Sequence, residues 1–278
     1  MQDISTDPID LDAYFQRIGY SGERTASLST LEAIHACHTN AIAFENLSPL
    51  LGQPVLLDLP SLQQKLVDAG RGGYCFEQNG LFRSVLIALG FQVISLAARV
   101  LWGAPEGVTT TRSHMLLLVQ IEDVPYMADV GFGGSTLPTP IRLTPNAHQS
   151  TSHEPFRLLP AKDSYILQVY FAGAWQSLYQ FDPQPQYPAD YEVSNWYVST
   201  YPKSRFVNSL MVSRLEENCR YALHDNRFTM RPLNGVAEHR VLTTAKELRV
   251  VLTREFRLTL PDHPDLETVL QRLAESGD

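Results

Sequence analysis

Cys75, His114 and Asp129 are the residues of this chain whose types and order suit covalent chemistry. Cys75 follows Arg71-Gly72-Gly73-Tyr74 and opens an apolar run to Leu89 that reads as a helix. A helix N-terminus carries partial positive charge and unpaired N–H groups, and both favour a thiolate, the nucleophilic form of cysteine. His114 begins an apolar strand-like run to Ile121, and Asp129 lies near the end of another, from Pro125 to Val130. Cysteine, histidine and aspartate arranged in this way are the layout of a nucleophile, its base and the group that orients the base. Taken singly, each has an ordinary structural reading. A helical cysteine fills core, a strand histidine hydrogen-bonds in place, and an aspartate after a strand forms a turn. The combination points to a reactive site, because all three sit at element ends beside glycines.

The elements that position them divide by periodicity. Residues 1–90 read as mostly helical and carry Cys75. Leu11, Tyr14, Phe15 and Ile18 form an apolar stripe closed by Gly19. Ser29-Thr30-Leu31-Glu32 has the form of a capping box. The helix behind it presents His35, Cys37 and His38, which lack the further ligand a zinc site needs and read as an ordinary helix surface without a metal. Val55-Leu56-Leu57 reads as a short strand, and Asp58 or Ser61 as the cap of a helix ending near Gly70. Glu45 is a charge in an apolar stretch and calls for a partner; the spacing offers Arg71, just before the cysteine loop.

From Phe91 the period changes to two. A strand runs to Leu101, Trp102–Gly107 is a turn, and the runs His114–Ile121 and Pro125–Val130 make an antiparallel hairpin about Glu122-Asp123. That hairpin brings His114 and Asp129 to the same end. Further strands at Phe156–Leu159, Tyr165–Phe171 and Trp175–Tyr179 complete an antiparallel β-barrel-like region over 91–188. Residues 189–278 form an α/β lid, with a helix to Thr200, short strands over 211–242, a capping box at Thr244 and Glu247, and a last helix from Asp265 to Ala274. The fold class is α+β. The glycine-rich loop after Asp129 precedes Leu137-Pro138-Thr139-Pro140, not a helix, so it is neither a Walker nor a Rossmann loop.

Composition narrows the function further. The 278 residues are 44% hydrophobic and 19% charged, as in an ordinary globular protein. A net charge of −8 argues against non-specific nucleic-acid binding. Cys37, Cys75 and Cys219 show neither a disulfide framework nor a CxxC pair, which fits a reducing, cytoplasmic setting. The polar, acidic start is not a secretory leader, and the apolar runs are too short to span a membrane.

The segments Arg71–Cys75, Ser113-His114 and Asp129–Gly133 resemble the motifs of the arylamine N-acetyltransferase family, and Ala43-Phe44-Glu45-Asn46-Leu47 resembles its N-terminal motif. The resemblance implies a papain- or transglutaminase-like core in which Cys75 accepts the acetyl group, His114 is its base and Asp129 orients the base. It implies acetyl-CoA as co-substrate, no metal, and ping-pong transfer to an arylamine or arylhydrazine, a chemistry of xenobiotic metabolism. Phe44, Phe132 and Gly133 would line the acceptor cleft. Tyr201–Phe206 resembles the segment that meets the coenzyme, with Lys203 and Arg205 toward its phosphates, Ser204 toward the pantetheine arm, and Gly131 in the loop near it. Three alternatives share these residues: a papain-like thiol hydrolase or protease, an amide synthase of the same fold, and a non-catalytic binding module.

Overall fold

A computed structural model describes residues 8–105 and 107–275. The first seven residues, part of the expected non-secretory start, and Glu106 of the predicted turn lie outside the described residues. The predicted apolar stripe forms α1 (Leu11–Ile18), capped by the Asp10 carboxylate and closed by Gly19 at φ 69°. Helix α2 (Leu28–Ala41) is capped two residues before the expected capping box. Ser27 is the cap and accepts from the Thr30 N–H, so Glu32 is too far along to close a box. His35 and His38 are fully buried, contrary to the surface reading, because α2 is enclosed by its neighbours. Both rings meet Phe82 edge-on. His38 donates through Nε2 to Gln78 Oε1 and accepts from the Tyr14 hydroxyl. Burial pushes His38 down to about 3, which keeps the ring neutral.

After the short α3 (Leu47–Leu50), Val55–Leu57 runs without a strand partner. Val55 alternates with exposed Leu56 as a strand residue would, but its carbonyl accepts from the Asn195 side chain. Asp58 caps α4 (Leu59–Gln63), which widens into a π-helical turn over Gln64–Asp68. Helix α5 (Cys75–Ala88) follows the glycine loop.

Seven antiparallel strands form the central sheet. They are β1 (Gln92–Val100), β2 (Arg112–Ile121), β3 (Val124–Ala128), β4 (Ile141–Arg142), β5 (Phe156–Ala161), β6 (Ser164–Phe171) and β7 (Ala174–Phe181), in the order β4-β3-β2-β1-β7-β6-β5. β1 and β7 share only the pairs from Ala98–Phe181 to Val100–Tyr179, so the sheet bends there. The chain after β4 then bridges to β5 through Pro145–Leu158 and Gln149–Phe156, which draws the two edges toward a barrel. Helices α6 (Pro188–Thr200) and α7 (Arg205–Asn208) lead to a second antiparallel sheet. Its strands are β8 (Met211–Glu216), β9 (Cys219–His224), β10 (Arg227–Pro232) and β11 (Glu238–Val241). The Thr244–Glu247 box opens α8 (Ala245–Arg254) as predicted, and α9 (Leu266–Glu275) packs beside it.

Three hydrophobic clusters hold these parts together, and they interlock along the chain. One joins α1, α2, α5 and the inner face of β2 with Tyr191 and Val198 of α6. The second joins Ala43, Leu47 and Leu50 to β8, α8 and α9. The third fills the curl of the central sheet around Phe156, Tyr179 and Phe181.

Candidate active site

The first helical residue of α5 is Cys75, as the glycine loop before it requires. Its side chain is buried, and Sγ lies 3.6 Å from the Ser113 carbonyl oxygen. Gly131 packs against it so closely that a Cβ there would sit 2.9 Å from the Cys75 Cα. His114 lies near the start of β2 and Asp129 just past β3. The hairpin register, with Leu117 opposite Ala128, brings them together at one end. His114 Nε2 and Asp129 Oδ2 are 2.7 Å apart, and both side chains are buried. With Nε2 bound to Asp129, Nδ1 is the ring nitrogen left to meet the thiol. Burial opposes charge on His114, but the Asp129 carboxylate and the hydrogen bonds to Asp129 and Cys75 outweigh it, and the ring is pushed up to about 10. Burial likewise opposes the charged form of Asp129, yet His114, Asn79 and the Gly131 N–H hold its carboxyl below the usual range.

Asp129 accepts four hydrogen bonds. Oδ2 takes His114 and the Tyr179 hydroxyl at 2.8 Å; Oδ1 takes Asn79 Nδ2 and the Gly131 N–H, each at 3.0 Å. The Asp129 N–H donates in turn to His35 Nε2 at 3.3 Å. Burial lowers His35 to about 4, so its ring stays neutral and can accept. The sequence reading joins none of Tyr179, Asn79 and His35 to Asp129. Asn79 had a signal: it is four residues after Cys75 and so shares its helical face. Tyr179 and His35 arrive from distant elements and had none.

The predicted Glu45–Arg71 pair is present. Arg71 donates through Nε and Nη2 to Glu45 Oε1, at 3.2 and 2.9 Å, and Glu45 Oε2 accepts from the Leu47 N–H. Both partners are buried. A Glu45→Gln variant keeps an acceptor for Leu47 but leaves the guanidinium without a counter-charge. It should lose about 3–5 kcal/mol and melt roughly 10 °C lower. A calorimetric melting temperature equal to wild type would remove the pair from the account of the loop.

Aromatic rings surround the site. Phe132 meets His114 edge-on at 5.1 Å and lies 5.0 Å from Tyr179. The Phe44 ring would touch a Cβ placed on Gly133, which sits at φ 89°. Phe206, at the end of the predicted coenzyme segment, joins this wall by packing on Phe44 and Tyr74. Its place in this wall carries no signal in the sequence of that segment. Ser204 caps α7 and donates to the Val198 carbonyl, so its hydroxyl is engaged within the chain. Lys203 and Arg205 are exposed and form no ion pair among the described residues. The Gly131 N–H is spent on Asp129.

The structure thus sets a buried thiol at a helix N-terminus, beside a histidine bound to a carboxylate, on helices joined to a curled antiparallel sheet. The chain belongs to the arylamine N-acetyltransferase family. The model of the N-acetyltransferase family matches residues 27–264. The arylamine N-acetyltransferase of Mycolicibacterium smegmatis is 42% identical over 258 residues, covering 91% of this chain and 94% of the relative. That of Escherichia coli is 41% identical over 253 residues, covering 91% and 90%. The structure of the Mycobacterium marinum arylamine N-acetyltransferase in complex with CoA superimposes with a TM-score of 0.91 at 38% identity, covering 95% of this chain and 99% of that one.

Proposed function

We propose that this protein transfers the acetyl group of acetyl-CoA to the nitrogen of an arylamine or arylhydrazine by a ping-pong mechanism through acetyl-Cys75. The observation that carries this reading is the buried His114–Asp129 contact beside Cys75. His114 takes the Cys75 proton, and Asp129 holds the ring so that Nδ1 faces the thiol. The Sγ thiolate attacks the acetyl carbonyl carbon, the bond to the CoA sulfur breaks, and the imidazolium returns a proton to the departing thiolate. The amine nitrogen then attacks acetyl-Cys75, its proton passes to His114, and the C–S bond breaks. The backbone N–H of Cys75 is among the donors that stabilise the oxyanion in each half. Exchange of one thioester for another is nearly balanced, and amide formation drives the second half forward.

Phe44, Phe132, Gly133 and Phe206 are assigned to the acceptor cleft, where their rings suit an aromatic amine. Lys203 and Arg205, exposed and without an ion pair among the described residues, are assigned to the coenzyme phosphates. Ser204 and Gly131 are assigned to the same coenzyme region, Ser204 toward the pantetheine arm. The division of labour follows the chain: residues 1–90 supply the nucleophile, 91–188 the base and its partner, and 189–278 a lid. No described helix is long and apolar enough to cross a membrane, and a reducing, cytoplasmic setting would preserve the free thiol.

Intact mass after mixing with acetyl-CoA alone tests the reading. One acetyl group should appear on wild type, not on Cys75→Ala, and should leave when aniline is added. A protein that stays unacetylated while Cys75 can still be alkylated would favour a thiol hydrolase or an amide synthase instead.

A further inference from the structure

Lys65 and Glu77 form an ion pair beside Cys75 that the acetyl-transfer scheme does not use. Lys65 Nζ lies 2.6 Å from Glu77 Oε1, and the side chains are 17% and 1% exposed. Glu77 is the third residue of α5. Its Oε2 turns back to accept the N–H of Tyr74, the residue immediately before Cys75, at 3.0 Å. The carboxylate lies flat on Gly73, where a Cβ would fall 2.8 Å from Oε2; the second glycine of the loop is what lets Glu77 reach the backbone. Lys65 comes from the π-helical turn Gln64–Asp68, and its own carbonyl accepts the Arg71 N–H at the start of the same loop. One residue thus holds the loop by its backbone and its cap by its side chain.

A carboxylate at this position has two opposed effects. It satisfies a helix N-terminal N–H, which steadies the loop. It also places negative charge at the helix end whose positive character would stabilise a neighbouring thiolate. The other charged and titratable groups around it do not cancel that charge. Glu45 adds to it but is neutralised by Arg71, and the Tyr74 phenol stays protonated. On the thiol side stand His114, Tyr74 and Tyr191, with Asp129 behind His114. Lys65 is the cation that faces Glu77 directly.

We propose that Lys65 and Glu77 act together as positioning residues for the nucleophile: Glu77 fixes the backbone ahead of Cys75, and Lys65 cancels its charge so that the helix end still favours the thiolate. The proposal rests on the reading of Cys75 as the nucleophile. Three variants of the full chain test it: Lys65→Met, Glu77→Gln, and the two combined. The readouts are the rate of Cys75 alkylation by iodoacetamide against pH, the kcat and KM for aniline, and the melting temperature.

Lys65→Met should slow alkylation at pH 7 about tenfold, and the deficit should close at high pH, where thiols ionise unaided. The kcat should fall with it, while KM for aniline stays put. Adding Glu77→Gln, which keeps an acceptor for the Tyr74 N–H, should restore both rates. A purely structural pair would lower the melting temperature and leave the alkylation profile and kcat as in wild type, and that result overturns the proposal. If Lys65→Met does not fold, Glu77→Gln alone decides. It leaves Lys65 uncompensated and should speed alkylation at pH 7, whereas an unchanged rate overturns the proposal. Acetylation of wild-type Cys75 by acetyl-CoA is scored in the same series. Its absence would sink the nucleophile reading, whereas its presence with an unmoved profile sinks only the role of the pair.

Discussion

The Cys75→Ala variant is expected to melt within about 3 °C of wild type and to transfer acetyl groups about ten-thousandfold or more slowly. The two halves of this result have separate causes. The thiol makes a long contact to the Ser113 carbonyl oxygen and a hydrogen bond with His114, and alanine fits the same helical position with better intrinsic propensity. Little packing is lost with one sulfur atom. Turnover by the proposed covalent scheme, in contrast, has no other route. Cys37 is half-buried and Cys219 buried, and burial pushes both thiols up, away from the reactive form. Initial rates with acetyl-CoA and aniline, set beside a thermal melt, measure both halves. Turnover at the wild-type rate would end the covalent mechanism.

Asp129→Asn should cost about a thousandfold or more in kcat, and it should also destabilise the fold. Asp129 meets only donors: His114 and Tyr179 on one oxygen, Asn79 and the Gly131 N–H on the other. An asparagine must turn its NH₂ toward one of these pairs in either orientation, which leaves buried donors opposed at a cost of about 1–3 kcal/mol. Where His114 adapts by accepting through Nε2, its proton moves to Nδ1 and the ring can no longer take a proton from Cys75.

The pH dependence gives this second variant its own signature. His114 is raised from 6.5 to about 10, so the stability carried by its charged form is complete below pH 6.5 and is lost as pH rises toward 10. Asp129 is lowered from 3.8, so its contribution is present above that pH and is lost only in stronger acid. The melting-temperature gap between wild type and Asp129→Asn should therefore be widest between the ordinary values of 3.8 and 6.5, and should narrow toward pH 10. A gap that does not vary with pH would mean that His114 and Asp129 are not a charged pair, and wild-type turnover in the variant would remove Asp129 from the site.

What was legible in the sequence is what local pattern encodes. The glycine loop and the apolar run after it place Cys75 at a helix start. A two-strand hairpin is a short-range object, so its register could be anticipated and with it the meeting of His114 and Asp129. Glu45 drew attention as a charge in an apolar stretch, and its buried bond to Arg71 follows the rule that such charges are paired. Long-range placement left no comparable trace. Tyr179 reaches Asp129 from 50 residues away and His35 from 94, through packing that periodicity does not describe. The same holds for His38, whose burial depends on α1 and α5 closing over α2. Smaller misses have local causes. Two serines two residues apart compete to cap α2, and Ser27 prevails. Val55–Leu57 has strand-like alternation, but its partner is a side chain and not a ladder.

The backbone of Phe44 bridges Gly73 on one side and Ser213 on the other, and Asn46 grips the Phe206 and Ser209 carbonyls and the Met211 N–H some 165 residues further on. A ribosome delivers Cys75, His114 and Asp129 long before it delivers those last contacts. Until residues 206–213 emerge, the cysteine loop lacks that back wall. The shape of the cysteine loop is therefore completed late in synthesis, once residues 206–213 have closed behind residues 43–46.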